Sequence, residues 1–334
     1  MNIKSLLLGS AAALAAVSGA QAADAIVAAE PEPMEYVRVC DAFGTGYFYI
    51  PGTETCLKIS GYIRFQVDAD ERDSQPNWNA RTRGLVTFAS KSDTEYGPLG
   101  GTITVRAWAD DSSNSTTASD GMIELDEAFL TLGGFRAGYG YNYWDNGIVG
   151  ETDDLGSNRI NQIGYEAAFG AFKAGIFLDE LNNATFTNND TLGVEGQISG
   201  AFGPVKAALL GGYDIDREEG AVRGILSAAI GPGTLEGAVV YSSGTNAYFS
   251  ASEWAYAVAY EAKVTDKFKI TPGFQYWDNI AWNSNLDGWK AGVTLDYAIT
   301  QGFAAKVSVQ YTERDDVNAG DGYTSGFFRL QRSF

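Results

Sequence analysis

The sequence predicts an all-β chain, a closed antiparallel barrel that crosses a membrane with sixteen strands. Three observations predict it. Apolar and polar residues alternate, and the alternation recurs along the chain, which is the period of a strand with one apolar face. Short glycine-containing turns and longer polar connections follow one another, as in an outer-membrane barrel. The composition agrees, with 40 Gly, 18 Tyr and 18 Phe among 334 residues and only 19% charged side chains. That is too aromatic for a disordered acidic chain.

Residues 1–22 read as a secretory signal peptide. Lys4 forms the positive start, Leu6 to Val17 the short apolar core, and Ala20-Gln21-Ala22 a small-x-small cleavage site. The alternative is a buried N-terminal helix. Cleavage starts the mature chain at Ala23 and makes it one charge more negative. Residues 23–55 form an N-terminal segment on the periplasmic side, and residues 56–334 the barrel. Ala23 to Val39 shows no strand pattern and contains Pro31 and Pro33. It reads as an unanchored tail, with contact to the cell wall as the alternative. The two cysteines, Cys40 and Cys56, meet an oxidising compartment after export, so a disulfide is the default. Two free thiols are the alternative.

The first strand shows the pattern best. Leu57, Ile59, Gly61, Ile63, Phe65 and Val67 share one face, and Lys58, Ser60, Tyr62, Arg64, Gln66 and Asp68 the other. The same reading places strands at 56–68, 80–90, 100–110, 121–132, 134–141, 160–168, 171–179 and 190–200. It continues with 203–213, 219–230, 233–243, 250–263, 266–277, 286–299, 302–313 and 321–334. Many have the length of a tilted bilayer crossing. An even number suits a bacterial barrel. Short turns include Gly133-Gly134, Phe169-Gly170 and Gly231-Pro232-Gly233, while Asp111 to Asp120 and Asp278 to Asn285 are longer loops. Tyr139, Tyr141, Tyr143, Trp144, Tyr276 and Trp277 lie near strand ends and read as interfacial girdle residues. At the carboxyl terminus Phe328, Leu330 and Phe334 share a face. This looks like the signal read by the outer-membrane barrel assembly machinery, although Arg332 interrupts the apolar row.

Charge and composition exclude several functions. There are 42 acidic and 23 basic residues, a net charge of −19, and no histidine. Without histidine there is no Ser-His-Asp triad, Cys-His pair or histidine-ligated metal. An acidic surface argues against nucleic acid. No cofactor or metal is expected, and no catalytic residue. The Asn114 and Asn183 glycosylation sequons read as chance.

The stretch Val39-Cys40-Asp41-Ala42-Phe43-Gly44, followed by Tyr47 to Tyr62 with Ile50-Pro51-Gly52 and Cys56-Leu57-Lys58-Ile59-Ser60-Gly61, resembles the alphaproteobacterial major porins of Brucella and rhizobia. The resemblance implies a sixteen-stranded, homotrimeric general-diffusion porin in outer-membrane lipid and lipopolysaccharide. It also implies that the third external loop folds inward. The acidic Pro-Glu-Phe-Gly-Gly-Asp motif of enteric porins is absent.

On the strand count that loop spans about Asn142 to Asn158 and carries Asp145, Glu151, Asp153 and Asp154, with Gly147, Gly150 and Gly156 as bends. Lys58, Arg64, Arg81, Arg83 and Arg106 fall on the inward face, because a charge facing lipid costs about 2–4 kcal/mol at the midplane. The expected site sets the acidic loop against this basic wall. Such a field orders water and tunes ion passage. The net charge by itself implies a weak preference for cations. The other readings are a barrel adhesin or structural surface protein, and a soluble β-sandwich.

Overall fold

The computed structural model describes residues 38–71, 77–110, 123–157, 159–182, 190–317 and 321–334. The expected signal peptide and the segment 23–37 lie outside the described residues. Alternating residues build the strands β1 (Phe48–Tyr49), β2 (Cys56–Asp70), β3 (Asn77–Ser92), β4 (Leu99–Asp110), β5 (Ile123–Leu132) and β6 (Phe135–Tyr141). They continue as β7 (Arg159–Phe169), β8 (Phe172–Asn182), β9 (Asp190–Phe202), β10 (Val205–Asp214), β11 (Glu219–Ile230) and β12 (Gly233–Ser242). The last five are β13 (Ser252–Lys263), β14 (Phe268–Ile280), β15 (Gly288–Thr300), β16 (Phe303–Arg314) and β17 (Tyr323–Ser333). From β2 on, each strand pairs antiparallel with the next, and β17 returns to β2, so β2 to β17 close a sixteen-stranded barrel. Closure leaves no sheet edge inside the membrane, where unpaired backbone groups are costly. The final residue completes the seam: Gly61 N–H donates to Phe334 O at 3.1 Å, and Phe334 N–H donates to Gly61 O at 3.0 Å.

The short strand β1 was not legible in the alternation. It pairs with β2 at Phe48↔Leu57 and Tyr49↔Cys56. This is the stretch of β2 that β17 does not reach, since their register ends at Ser333↔Tyr62. Val39, assigned above to the unpatterned tail, forms an isolated bridge with Phe48. A Cys40–Cys56 disulfide ties this hairpin to the start of β2.

The outward face is apolar. Leu226 and Ile176 are each 61% exposed and Leu209 54%, exposure that lipid rather than water explains. Aromatic residues mark both ends of this face. Phe172 packs against Phe169 and Phe202 at the turn end, and Trp254 against Tyr241 and Tyr256 toward the loop end. Three residues read as girdle members lie elsewhere. Trp144 and Trp277 are fully buried, and the Tyr143 hydroxyl donates to Glu166 at 3.0 Å. Position near a strand end does not reveal which way a ring points.

The interior is uneven. Leu210 of β10, Ala221 of β11, Val240 of β12 and Ala255 of β13 are apolar and buried. They join Trp144, Leu155, Tyr248 and Phe249 in one hydrophobic cluster. Two loop-end segments therefore pack against this part of the wall: L3, the third (142–157), and L6, the sixth (243–251).

Candidate functional site

L3 begins with a 3-10 turn, Tyr143–Asp145, capped by the Asn142 side chain, which accepts from Trp144 N–H at 3.1 Å. The turn drives the Trp144 ring into the cluster, 5.9 Å from Tyr248. Two further bends need glycine, because Gly150 (φ +95°) and Gly156 (φ +88°) have left-handed backbones.

Arg223 of β11 holds both limbs of the loop. It is fully buried, its guanidinium lies over the Trp144 ring at 4.6 Å, and Nη1 donates to Trp144 O at 3.0 Å and to Asn146 O. Nη2 donates to Leu155 O and to Gly156 O at 3.5 Å. Further round, Val149 N–H donates to Glu236 of β12 at 2.8 Å. Gln275 of β14 exchanges two hydrogen bonds with the Asp154 backbone, one of them Nε2 to O at 2.9 Å. Glu151 meets the far strands: Lys306 Nζ of β16 donates to its Oε1 at 2.7 Å and Arg329 Nη1 of β17 to the same oxygen at 3.3 Å. L3 thus touches strands from β11 round to β17.

L6 braces L3 from behind. Asn246 Oδ1 accepts from the N–H groups of Tyr248 and Phe249, each at 3.0 Å. Tyr248 lies over Gly212 and Gly193, where an added Cβ would fall 2.5 Å from its ring and 2.2 Å from its hydroxyl. That hydroxyl donates to Asp179 Oδ2 at 2.7 Å. Burial and the facing carboxylate push the phenol well above its ordinary pKa, so it remains a donor.

The four acids expected in L3 separate into different situations. Glu151 forms the ion pairs just described. Asp145 accepts from Ser157 Oγ within the loop. Asp153 is half-buried and accepts from Ile148 N–H at 3.3 Å. Burial raises the Asp153 pKa, opposed by the Ile148 N–H and by the charges of Lys290 and Arg223. Asp154 has an exposed side chain and engages Gln275 through its backbone.

The expected basic residues also differ. Arg64 and Arg83 face each other in register across β2 and β3. Arg64 Nε donates to Gln331 at 2.8 Å, and Arg83 Nη1 to Tyr62 Oη at 3.1 Å. Arg81 pairs with Asp68 at 2.9 Å. Arg106 pairs with Glu124 and with Asp126 at 3.1 Å. Lys58 lies near the start of β2, 5.8 Å from the centre of the Tyr47 ring. The direct cationic partners of L3 are therefore Lys306, Arg329 and Arg223, which strand counting did not single out. Arg223 had a signal: it is a basic residue between Ala221 and Ile225 whose cross-strand partners, Leu210 and Val240, are apolar.

A barrel crossed by a loop with one acidic tip on a basic wall is the geometry of a channel. Comparison with known proteins decides which kind. A family described as a porin subfamily matches residues 24–328. The chain belongs to this porin family. The porin is 48% identical to outer membrane protein IIIA of Rhizobium leguminosarum bv. viciae, over 98% of this chain and 93% of that one. It is 36% identical to porin Omp2a of Brucella canis over the full length of both. The outer membrane channel DcaP of Acinetobacter baumannii shares its fold, with a TM-score of 0.67, 14% identity, and coverage of 86% of this chain and 99% of that one. The porin is thus a bacterial outer-membrane channel protein, as the resemblance implied.

Proposed function

We propose that L3 and the wall formed by β16, β17, β2 and β3 make the constriction of a passive channel for ions and small hydrophilic solutes. The observation that supports this is the double anchoring of L3. Arg223 and L6 hold it in a packed cluster on one side, and Glu151 meets Lys306 and Arg329 on the other. Between them an acidic tip faces cations, and such a transverse field favours polar solutes over apolar ones. Asp145, Asp153 and Asp154 serve mainly to shape the loop. Arg64 and Arg83 line the passage, while Arg81 and Arg106 carry their own carboxylate partners. The porin performs no catalysis and holds no cofactor in this reading.

The same reading makes the protein a homotrimer in outer-membrane lipid and lipopolysaccharide, inserted by the barrel assembly machinery through its terminal Phe328, Leu330 and Phe334 face. The disulfide hairpin sits at the turn end, which puts residues 39–55 on the periplasmic side in this reading; contact of the preceding segment with the cell wall belongs to the same reading. Single-channel recording of purified protein in a salt gradient tests the core of this. Stepwise conductance in groups of three supports the trimeric channel. A silent protein that binds surfaces supports the adhesin instead.

A further inference from the structure

We infer that Arg64 and Arg83 form a subsite for small oxyanions bearing two negative charges, such as a dicarboxylate or inorganic phosphate. The inference rests on the constriction proposed above and names the solute class that it slows.

Ion pairing along the wall carries the argument. Lys306 and Arg329 face each other in register across β16 and β17, and both reach Glu151. Lys306 also has Asp296 at 3.5 Å. Arg81 and Arg106 have carboxylates of their own. Among the described residues, Arg64 and Arg83 have no carboxylate within ion-pair distance. Arg329 and Arg83 both repel Arg64, and Glu151 offsets them in part. Like charges set directly opposite on a sheet are unfavourable. Here neutral groups hold them in place. Arg64 lies over the Tyr62 ring at 4.7 Å and bonds Gln331. Arg83 lies over the Trp108 ring at 3.7 Å and bonds the Tyr62 hydroxyl.

Both guanidiniums are thus gathered around Tyr62, supported on aromatic faces and partly exposed. Each guanidinium has five N–H donors, and one from each is engaged among the described residues. An oxyanion with two acceptor edges supplies what they lack, two negative charges and bidentate acceptors. The local excess at this point is positive, opposite in sign to the −19 of the whole chain. A solute in a narrow passage responds to the nearest groups, because salt screens charges beyond about 8–10 Å.

The test is single-channel recording in potassium chloride with succinate added to one side. The expected result is concentration-dependent interruption of the current, half-saturating at about millimolar succinate. Arg64→Gln and Arg83→Gln should each raise that concentration about tenfold, with conducting steps still present and their reversal potential moved toward cations. Arg64→Lys should keep the reversal potential near that of the parent yet weaken the succinate effect, because a point charge replaces a fork. Normal steps that succinate does not interrupt, or equal interruption in parent and Gln variants, would overturn the subsite and leave the channel reading intact. Absence of steps in the parent would overturn the channel reading, and the subsite with it.

Discussion

Replacing Arg223 with Gln removes the clamp between the two limbs of L3. Each terminal nitrogen of Arg223 donates to carbonyls of a different limb, Trp144 and Asn146 on one side and Leu155 and Gly156 on the other. A hydrogen bond from a charged donor contributes about 1.5–3 kcal/mol. Counting one such bond per limb, the variant loses about 3–6 kcal/mol of loop anchoring. At about 1.4 kcal/mol per factor of ten, the open form of the loop becomes about 10² to 10⁴ times more populated. The Gln275 bonds and the Glu151 ion pairs remain, so the loop should fluctuate rather than stay displaced. The β10–β11 and β11–β12 ladders are backbone pairings and survive the change. The assay is single-channel recording of refolded protein at constant voltage, with thermal unfolding of the barrel as the control. Mean conductance and current noise should both rise while the unfolding temperature changes little. A folded variant with the parent's conductance and noise would refute the anchoring argument. Arg223→Lys should restore little, since a compact ammonium cannot reach both limbs as a planar fork does.

Four other outcomes follow from the same geometry. Glu151→Gln leaves Lys306 and Arg329 without their shared carboxylate, and the reversal potential in a salt gradient should move toward anions. Asp153→Asn should move it far less, because the Asp153 carboxylate is half-buried and engaged with Ile148 N–H; equal shifts in the two variants would contradict the assignment. Burial raises the Asp153 pKa, so the folded loop favours the neutral form more than the unfolded chain does. Its contribution to loop stability is therefore present below the ordinary carboxylate pKa and is lost as the pH rises through the raised value. Current noise in the parent should grow across that window, and Asp153→Asn should flatten the change. Gly212→Val places a Cβ against the Tyr248 ring, where an overpacking cost of about 1–3 kcal/mol should open residues 243–251 to limited proteolysis. Cys40→Ser with Cys56→Ser removes a link spanning 16 positions, worth about 3 kcal/mol in the chain-entropy model. Hydrogen exchange at Tyr47 and Phe48 should accelerate while the β2–β17 seam remains protected.

The strands were legible because lipid outside and water inside impose one rule on every crossing. Residues such as Ile63 and Arg64 must then take opposite faces, and a pattern of period two needs no knowledge of neighbours. β1 escaped because two residues cannot show a period; it exists because β17 stops short of the start of β2. Lys306, Arg329 and Arg223 escaped as site residues because only closure of the barrel and folding of L3 bring Lys306 and Arg329 to Glu151 and Arg223 to the two limbs of the loop. L6 escaped for a related reason. Its Tyr248 looks like any loop aromatic until Gly193 and Gly212 are seen to make room for it. A signal was nevertheless present, since Leu209-Leu210 and Val239-Val240 are apolar on both faces of strands that should have a polar interior. That double apolarity is what a segment packed inside requires.

By itself the sequence determined the strand number, the turn and loop ends and the lipid face. Each follows from one-dimensional spacing combined with the cost of placing charge or unpaired backbone in hydrocarbon. Tertiary structure alone decided which charges neutralise one another. Arg81 and Arg106 have carboxylates within about 3 Å, whereas Arg64 and Arg83 have none among the described residues. Coulomb energy depends on separation in space and on the local dielectric, and neither quantity is written in the order of the residues.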